Sequence, residues 1–294
     1  MNHPPPSDLI AAIRNSITDE ICFALCGSRT GILRWLLGPL FFLPVDHFAH
    51  IFARLDNEVP CSGLSGGARL VLPDFSLHVN SRGAEFIPTN GPLLVVSNHP
   101  GAYDSLAITA SIPRKDLKIV VSDVKFVHSL TAASQYFIYV PPETAGRMAT
   151  LRSSIQHLKN DGALLIFAHG EVEPDPAVSP GASQSIQDWS PSVEIMLRKV
   201  PDAWLQIVIA SHMLLPQFFN SPIARLRRQP HTRQKLAEVM QVIQQMLLPK
   251  SIEANVRLSF ARPVSASELA QGEVMPAVIQ LARQTLEEHI SQLY

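Results

Sequence analysis

The chain has 294 residues, 46% of them hydrophobic and 17% charged, with a formal net charge of −1 and a pI near 6.8. That is ample apolar material for a large buried core, and the lack of a basic field excludes nucleic-acid recognition by overall charge. Cys22, Cys26 and Cys61 are too few for a disulfide framework and have no further ligands at metal spacing nearby, so a reducing compartment and no zinc motif are expected.

The first residues, 1–8, are Pro-rich and lack the basic stretch and apolar core of a secretory signal. The most apolar early segment, 31–45, carries Arg34, Pro39 and Pro44 and falls short of the roughly 20 residues that cross a bilayer. Its Trp35, Leu36, Leu37, Leu40, Phe41, Phe42 and Leu43 offer an apolar face that either sinks to headgroup depth or packs on the protein's own core. Helix is expected to about Leu55, and the Gly, Ser and Pro of 57–67 read as a loop. The chain thus divides into a helical N-terminal extension and loop, 1–67, with a possible membrane-contacting segment, and an α/β domain, 68–294.

Short strands are expected at 69–72 and 76–79, followed by strands at 93–97, 118–121, 136–140, 163–167, 205–210 and 256–260. Met148, Leu151, Ile155 and Leu158 recur at helical spacing before the stop signal Asn160-Asp161-Gly162. An amphipathic helix is expected over 231–248, and Ser265-Ala266-Ser267-Glu268 has the form of a capping box before a C-terminal helix. The alternation of apolar strands with helices predicts an α/β fold, a mostly parallel central sheet flanked by helices.

Ligands of such sheets bind beyond the carboxyl ends of the strands, and the strand at 93–97 runs into His99-Pro100-Gly101-Ala102-Tyr103-Asp104. A turn at Pro100-Gly101 would bring imidazole and carboxylate together, with Asp104 opening the next helix. An aspartate that accepts the Nδ1–H fixes the tautomer that leaves Nε2 basic, so His99 is a candidate general base; an ordinary turn histidine and helix cap fit the same spacing. Gly63-Leu64-Ser65-Gly66-Gly67 formally satisfies a nucleophile elbow, but no strand precedes it and no helix is expected after it. His99, Asp104, His169 and Glu171 are possible zinc ligands by type, yet no compact ligand motif supports a metal and none is expected.

From Gly83 onward, the sequence Gly91-Pro92-Leu93-Leu94-Val95-Val96-Ser97-Asn98-His99-Pro100 with Asp104 resembles the Asn-His-(x4)-Asp block of the glycerolipid (lysophosphatidic acid and glycerol-3-phosphate) acyltransferase family. The resemblance continues in order through Lys125, the strand at Phe137-Ile138, the turn Leu158-Lys159-Asn160-Asp161-Gly162 and the strand end Ile166-Phe167-Ala168-His169-Gly170. It covers roughly 82–210 and implies transfer of a fatty acyl group from acyl-CoA or acyl-carrier protein to a lysolipid or other hydroxyl, with His99 as base, Asp104 as its orienter and no cofactor. Asn98, Lys125, Arg147, His169, Gly170 and Glu171 are the implied substrate-binding residues, with backbone N–H groups near Gly170 or in the turn 100–102 as oxyanion donors.

Two blocks depart from the family pattern. The second lacks the Arg expected to hold an acceptor phosphate, reading Phe137-Ile138-Tyr139-Val140-Pro141-Pro142, with Arg147 or Lys125 as replacements. The third has His169 where the family has Glu, with Glu171 two further on. Alternatives are therefore a catalytically altered, membrane-associated lipid-binding protein on the same fold, or an acyl-thioester hydrolase. Apolar 213–219 beside Arg225, Arg227, Arg228, His231, Arg233 and Lys235 suggests docking on an anionic bilayer or a grip on CoA phosphates. A cytoplasmic, peripheral location on the inner face of the membrane is expected.

Overall fold

The computed structural model describes residues 7–26 and 32–292. Its strands are β1 (Leu77–Arg82), β2 (Leu93–Ser97), β3 (Lys118–Ser122), β4 (Phe137–Val140), β5 (Ala163–Phe167), β6 (Trp204–Ser211), β7 (Ala254–Phe260) and β8 (Val264–Ser265). They form one eight-stranded sheet in the order β1-β7-β6-β2-β5-β3-β4, with β8 beside β6. Pairing is parallel except where β6 meets β7 and β8. The expected mostly parallel α/β sheet is the observed one.

The helices are α1 (Ser7–Cys26), α2 (Ile32–Val71), α3 (Asp104–Ser111), α4 (Lys125–Ser129), α5 (Thr144–Lys159), α6 (Ala182–Ser185), α7 (Ser192–Lys199), α8 (Pro216–Phe219), α9 (Pro222–Arg225), α10 (Pro230–Leu247), α11 (Ala266–Leu269) and α12 (Val274–Ser291). Alternate residues of β2 face two cores. Leu93 and Val95 join α1 and α2 on one side, with Ile13, Ile51 and Phe75, while Leu94 and Val96 join Leu158, Met196 and Val278 of α5, α7 and α12 on the other. Because both faces are covered, β2 has no polar alternation, which is why its run of apolar residues reads as a central strand.

The N-terminal part departs from the expected loop at 57–67 and strand at 69–72. Helix α2 continues to Val71, broken only by non-helical backbone at Gly63, whose φ of 71° is the left-handed region open to glycine. Val59, Leu64, Ala68 and Val71 are all buried, so burial on one helix face overrides the poor propensity of Gly66, Gly67 and Pro60. The same helix removes the nucleophile-elbow geometry: Ser65 is buried, and its hydroxyl donates to Arg114 O at 3.3 Å.

Smaller differences have local causes. Met148 is 56% exposed although it shares the spacing of buried Leu158. Ser265 makes no capping bond from its side chain and precedes only the four-residue α11, while α12 begins at Val274. In the segment 213–219, Met213, Leu214, Phe218 and Phe219 are buried in the protein's own core rather than free for a bilayer. The side chains of Cys22, Cys26, Trp35, Leu36, Leu37 and Leu40 lie outside the described residues, whereas Phe42 and Leu43 are exposed.

Candidate active site

At the end of β2 the chain is held before it turns. The Asn98 side-chain amide donates to Ala210 O at 3.0 Å and accepts from Ala210 N–H at 2.8 Å, strapping the strand end to β6. His99 follows, and the turn through Gly101 delivers Asp104 to the first position of α3. Asp104 is fully buried: its Oδ2 accepts from His99 Nδ1–H at 2.7 Å and Gly101 N–H at 3.0 Å, and its Oδ1 from Ser105 N–H at 2.6 Å. Since an ionised carboxylate only accepts, Nδ1 carries the proton and Nε2 keeps its lone pair. The imidazole is packed against Phe167, ring centroids 4.5 Å apart.

A second carboxylate fixes the backbone of the same residue. Glu173, 1% exposed, accepts from His99 N–H at 2.9 Å and from the Trp189 indole N–H at 3.1 Å, while its own N–H donates to His99 O at 2.7 Å. Asp175, fully buried, gathers the amides of Ala177, His212, Met213 and Leu214. Together they anchor the loop after β5 to those after β2 and β6.

Helix α10 contributes a polar stripe that an apolar-pattern reading passes over. Gln234, Glu238, Gln241 and Gln245 recur at four and three residues and so share one face. Gln234 donates to Pro100 O and Glu173 O, Gln241 to Met213 O and Gln245 to Phe75 O, and Gln245 also accepts from Tyr103 O–H. Each carboxamide satisfies loop backbone that no strand or helix pairs, which turns the helix into a clamp on the His99 turn. Glu238 is the one carboxyl group in the stripe: a Cβ on Gly101 would lie 3.5 Å from its Oε1.

Burial and charge set the protonation of this group of side chains. Burial disfavours the His99 imidazolium, but the charge and hydrogen bond of Asp104, with help from Glu238 and Glu173, outweigh it and raise His99 above its ordinary value. Burial also raises Glu173, and it pushes Asp175 up to about 6. Glu238 is pushed up to about 8 by burial and by the nearby Asp104 and Asp175, against a lowering hydrogen bond from Gln234. Burial thus favours the protonated form of Glu238 near neutral pH.

His99 opens onto a cavity of about 690 Å³. Its walls are mainly apolar: Phe48, Phe52, Leu64 and Ala68 of α2, Leu106 of α3, Ile119 and Val121 of β3, and Phe126 and Leu130 around α4. A neighbouring cavity of about 380 Å³ shares Val140, Phe167, Gly170 and Glu171 with the first and adds Arg147, His169, Ser154, Ser190 and Ser192. Gly170 sits at the junction with φ 80°, a left-handed turn after β5 that suits glycine.

Of the residues expected at the site, His99 and Asp104 are in direct contact, while Arg147, His169, Gly170 and Glu171 line the adjoining cavity. Asn98 is buried behind His99 with its amide bonded at both ends to Ala210, and Lys125 is exposed at the start of α4 and lines neither cavity. The expected oxyanion donors are partly engaged: Gly170 N–H bonds Phe167 O and Gly101 N–H bonds Asp104. Among the described residues no group of three or more His, Cys, Asp or Glu side chains is placed to hold a metal ion. Glu173 and Glu238 were not legible as site residues, being single carboxylates without a motif, and Lys235 was legible only as one member of a basic cluster.

Fold and site define a class: an α/β protein with an aspartate-held imidazole at the carboxyl end of its sheet, opening on a mainly apolar cavity. Residues 78–187, which include β2, the His99–Asp104 turn and β5, match the family model described as Acyltransferase. Among solved structures the chain is similar to the 1-acyl-sn-glycerophosphate (LPA) acyltransferase PlsC from Thermotoga maritima, at 13% identity and a TM-score of 0.49, over 96% of this chain and 95% of that one. No curated protein sequence matches the chain.

Proposed function

We propose that the protein transfers a fatty acyl group from an acyl-CoA or acyl-carrier-protein thioester to a lipid or glycerol-type hydroxyl, as a step in phospholipid or glycerolipid biosynthesis. The observation that carries this reading is the 2.7 Å His99–Asp104 contact at the mouth of the 690 Å³ apolar cavity, within the segment that matches the Acyltransferase family model. His99 Nε2 takes the proton of the acceptor hydroxyl as its oxygen attacks the thioester carbonyl. Asp104 holds the ring and stabilises the imidazolium that forms. The tetrahedral intermediate collapses by breaking the C–S bond, and the imidazolium returns its proton to the leaving thiolate, so no enzyme-bound acyl group and no cofactor are required. With the Gly101 and Gly170 amides engaged, the neighbouring Ala102 and Glu171, which also line the cavity, offer backbone N–H groups for the developing oxyanion.

The apolar cavity under α2 suits the acyl chain, and the smaller cavity beside it, with Arg147, His169, Glu171 and three serines, suits the acceptor headgroup. Val140 and His169 stand where the family pattern has its Arg and Glu, so the headgroup is not fixed as that of lysophosphatidic acid. A peripheral site on the inner membrane face fits the exposed Ile223 and Leu226 beside Arg225, Arg227 and Arg228. No helix among the described residues is long and apolar enough to cross a membrane.

The test is thiol release from long-chain acyl-CoA and acyl-carrier protein, with and without a panel of lysolipids. Acceptor-dependent release lost in His99→Ala is expected. Release independent of acceptor would make the protein a thioester hydrolase, and no release with any donor would leave a lipid-binding module.

A further inference from the structure

The reaction cavity lacks the cation that the second sequence block would supply, because Val140 lines its wall there. Lys125 is outside it, and Arg147 belongs to the adjoining cavity. One cation does line it. Lys235, from the first turns of α10, shares the cavity wall with His99 and is, with that histidine set aside, the only basic side chain among its described lining residues.

The placement follows from the polar stripe. Gln234 is fixed between Pro100 O and Glu173 O, both at 2.8 Å, immediately behind His99. Successive residues on a helix are turned by about 100°, so Lys235 lies at the border between the docked stripe and solvent, beside the His99 turn. Its basic neighbour is already committed: Arg233 donates to Phe219 O at 2.7 Å and Asn220 Oδ1 at 3.0 Å and lies over the Phe219 ring. Lys235 makes no hydrogen bond or ion pair with any described residue, and it is exposed. An exposed four-carbon ammonium, anchored at its Cα and with no partner among the described residues at its tip, is suited to a phosphate that arrives with substrate.

We infer that Lys235 is a specificity-determining residue that binds a substrate phosphate at the mouth of the reaction cavity, in place of a cation from the β4 end. The inference rests on the acyl-transfer reading. A substrate phosphate has two sources, the acceptor headgroup and the phosphopantetheine arm of the donor. Kinetics of the full-length wild type, Lys235→Gln and Lys235→Arg separate them in two arms. One compares lysophosphatidic acid with monoacylglycerol of the same chain, and the other acyl-phosphopantetheine with acyl-pantetheine.

In one arm, Lys235→Gln should lower the kcat/KM preference for the phosphate-bearing substrate about tenfold or more, through KM, while Lys235→Arg keeps most of it. Loss in the first arm assigns the phosphate to the acceptor, and loss in the second to the donor. Preferences unchanged in both arms, or an equal loss on phosphorylated and phosphate-free substrates, would overturn the inference with acyl transfer intact. Absence of turnover in the wild type would instead overturn the reading on which it rests.

Discussion

Replacing Asp104 by Asn keeps the size of the side chain and removes its charge. In the structure the carboxylate receives three donors: His99 Nδ1–H at 2.7 Å, Gly101 N–H at 3.0 Å and Ser105 N–H at 2.6 Å. An amide has one oxygen, so its NH2 must face either Ser105 N–H or the pair formed by His99 and Gly101. In the first orientation the amide oxygen still accepts from Nδ1–H but the imidazolium loses its counter-charge, a loss of up to about 1.5–3 kcal/mol, which is roughly 10- to 150-fold in rate. In the second the imidazole tautomer is reversed, Nε2 carries the proton, and the loss grows to about 10⁴-fold. With the charge of Asp104 gone, burial is left to act against the His99 cation, so the acidic limb of the pH–rate profile moves to lower pH. Acyl-transfer rates from pH 5 to 9 measure both effects. Activity within about threefold of wild type and an unmoved limb would refute the assignment of Asp104 as orienter of a catalytic base.

Other consequences follow from the same geometry. Glu238 is raised from 4.5 to about 8, so its contribution to stability is present below the unfolded value and lost as pH rises through 8; urea titrations should show Glu238→Gln losing less stability than wild type between pH 5 and 9, by on the order of a few kcal/mol, and equal losses would contradict the placement of that carboxyl. Asn98→Ala removes two buried bonds to Ala210 and should cost about 2–4 kcal/mol of stability by denaturant unfolding, whereas a loss of activity at unchanged stability would indicate substrate contact instead. Ala68→Phe fills the cavity wall formed by α2 and should shift donor preference toward shorter acyl chains in competition assays; an unchanged chain-length profile would place the acyl chain elsewhere.

What the sequence made legible was the centre of the sheet. Strands β2 and β5 are covered on both faces, so their apolar runs have no competing explanation, and the turn residues after β2 announced the His99–Asp104 contact. The helical path of 57–71 was hidden because Pro60 and three glycines imitate a loop, and only burial against the sheet makes it a helix. The α10 clamp was hidden for the opposite reason. Its glutamines have helical spacing but the polarity of an exposed face, and they are buried because the loops around His99 need donors and acceptors. Likewise the 213–219 run is apolar because it packs under α10, not because it meets a bilayer.

The central claim is that His99 is the base for transfer to a hydroxyl, and isotope-labelled donor tests it directly. Wild-type protein given labelled long-chain acyl-thioester and lysolipid should yield labelled ester, measured by mass spectrometry, and folded His99→Ala should yield at least about 10²-fold less. Labelled ester formed equally by the variant, or label recovered only as free fatty acid from the wild type, would contradict it.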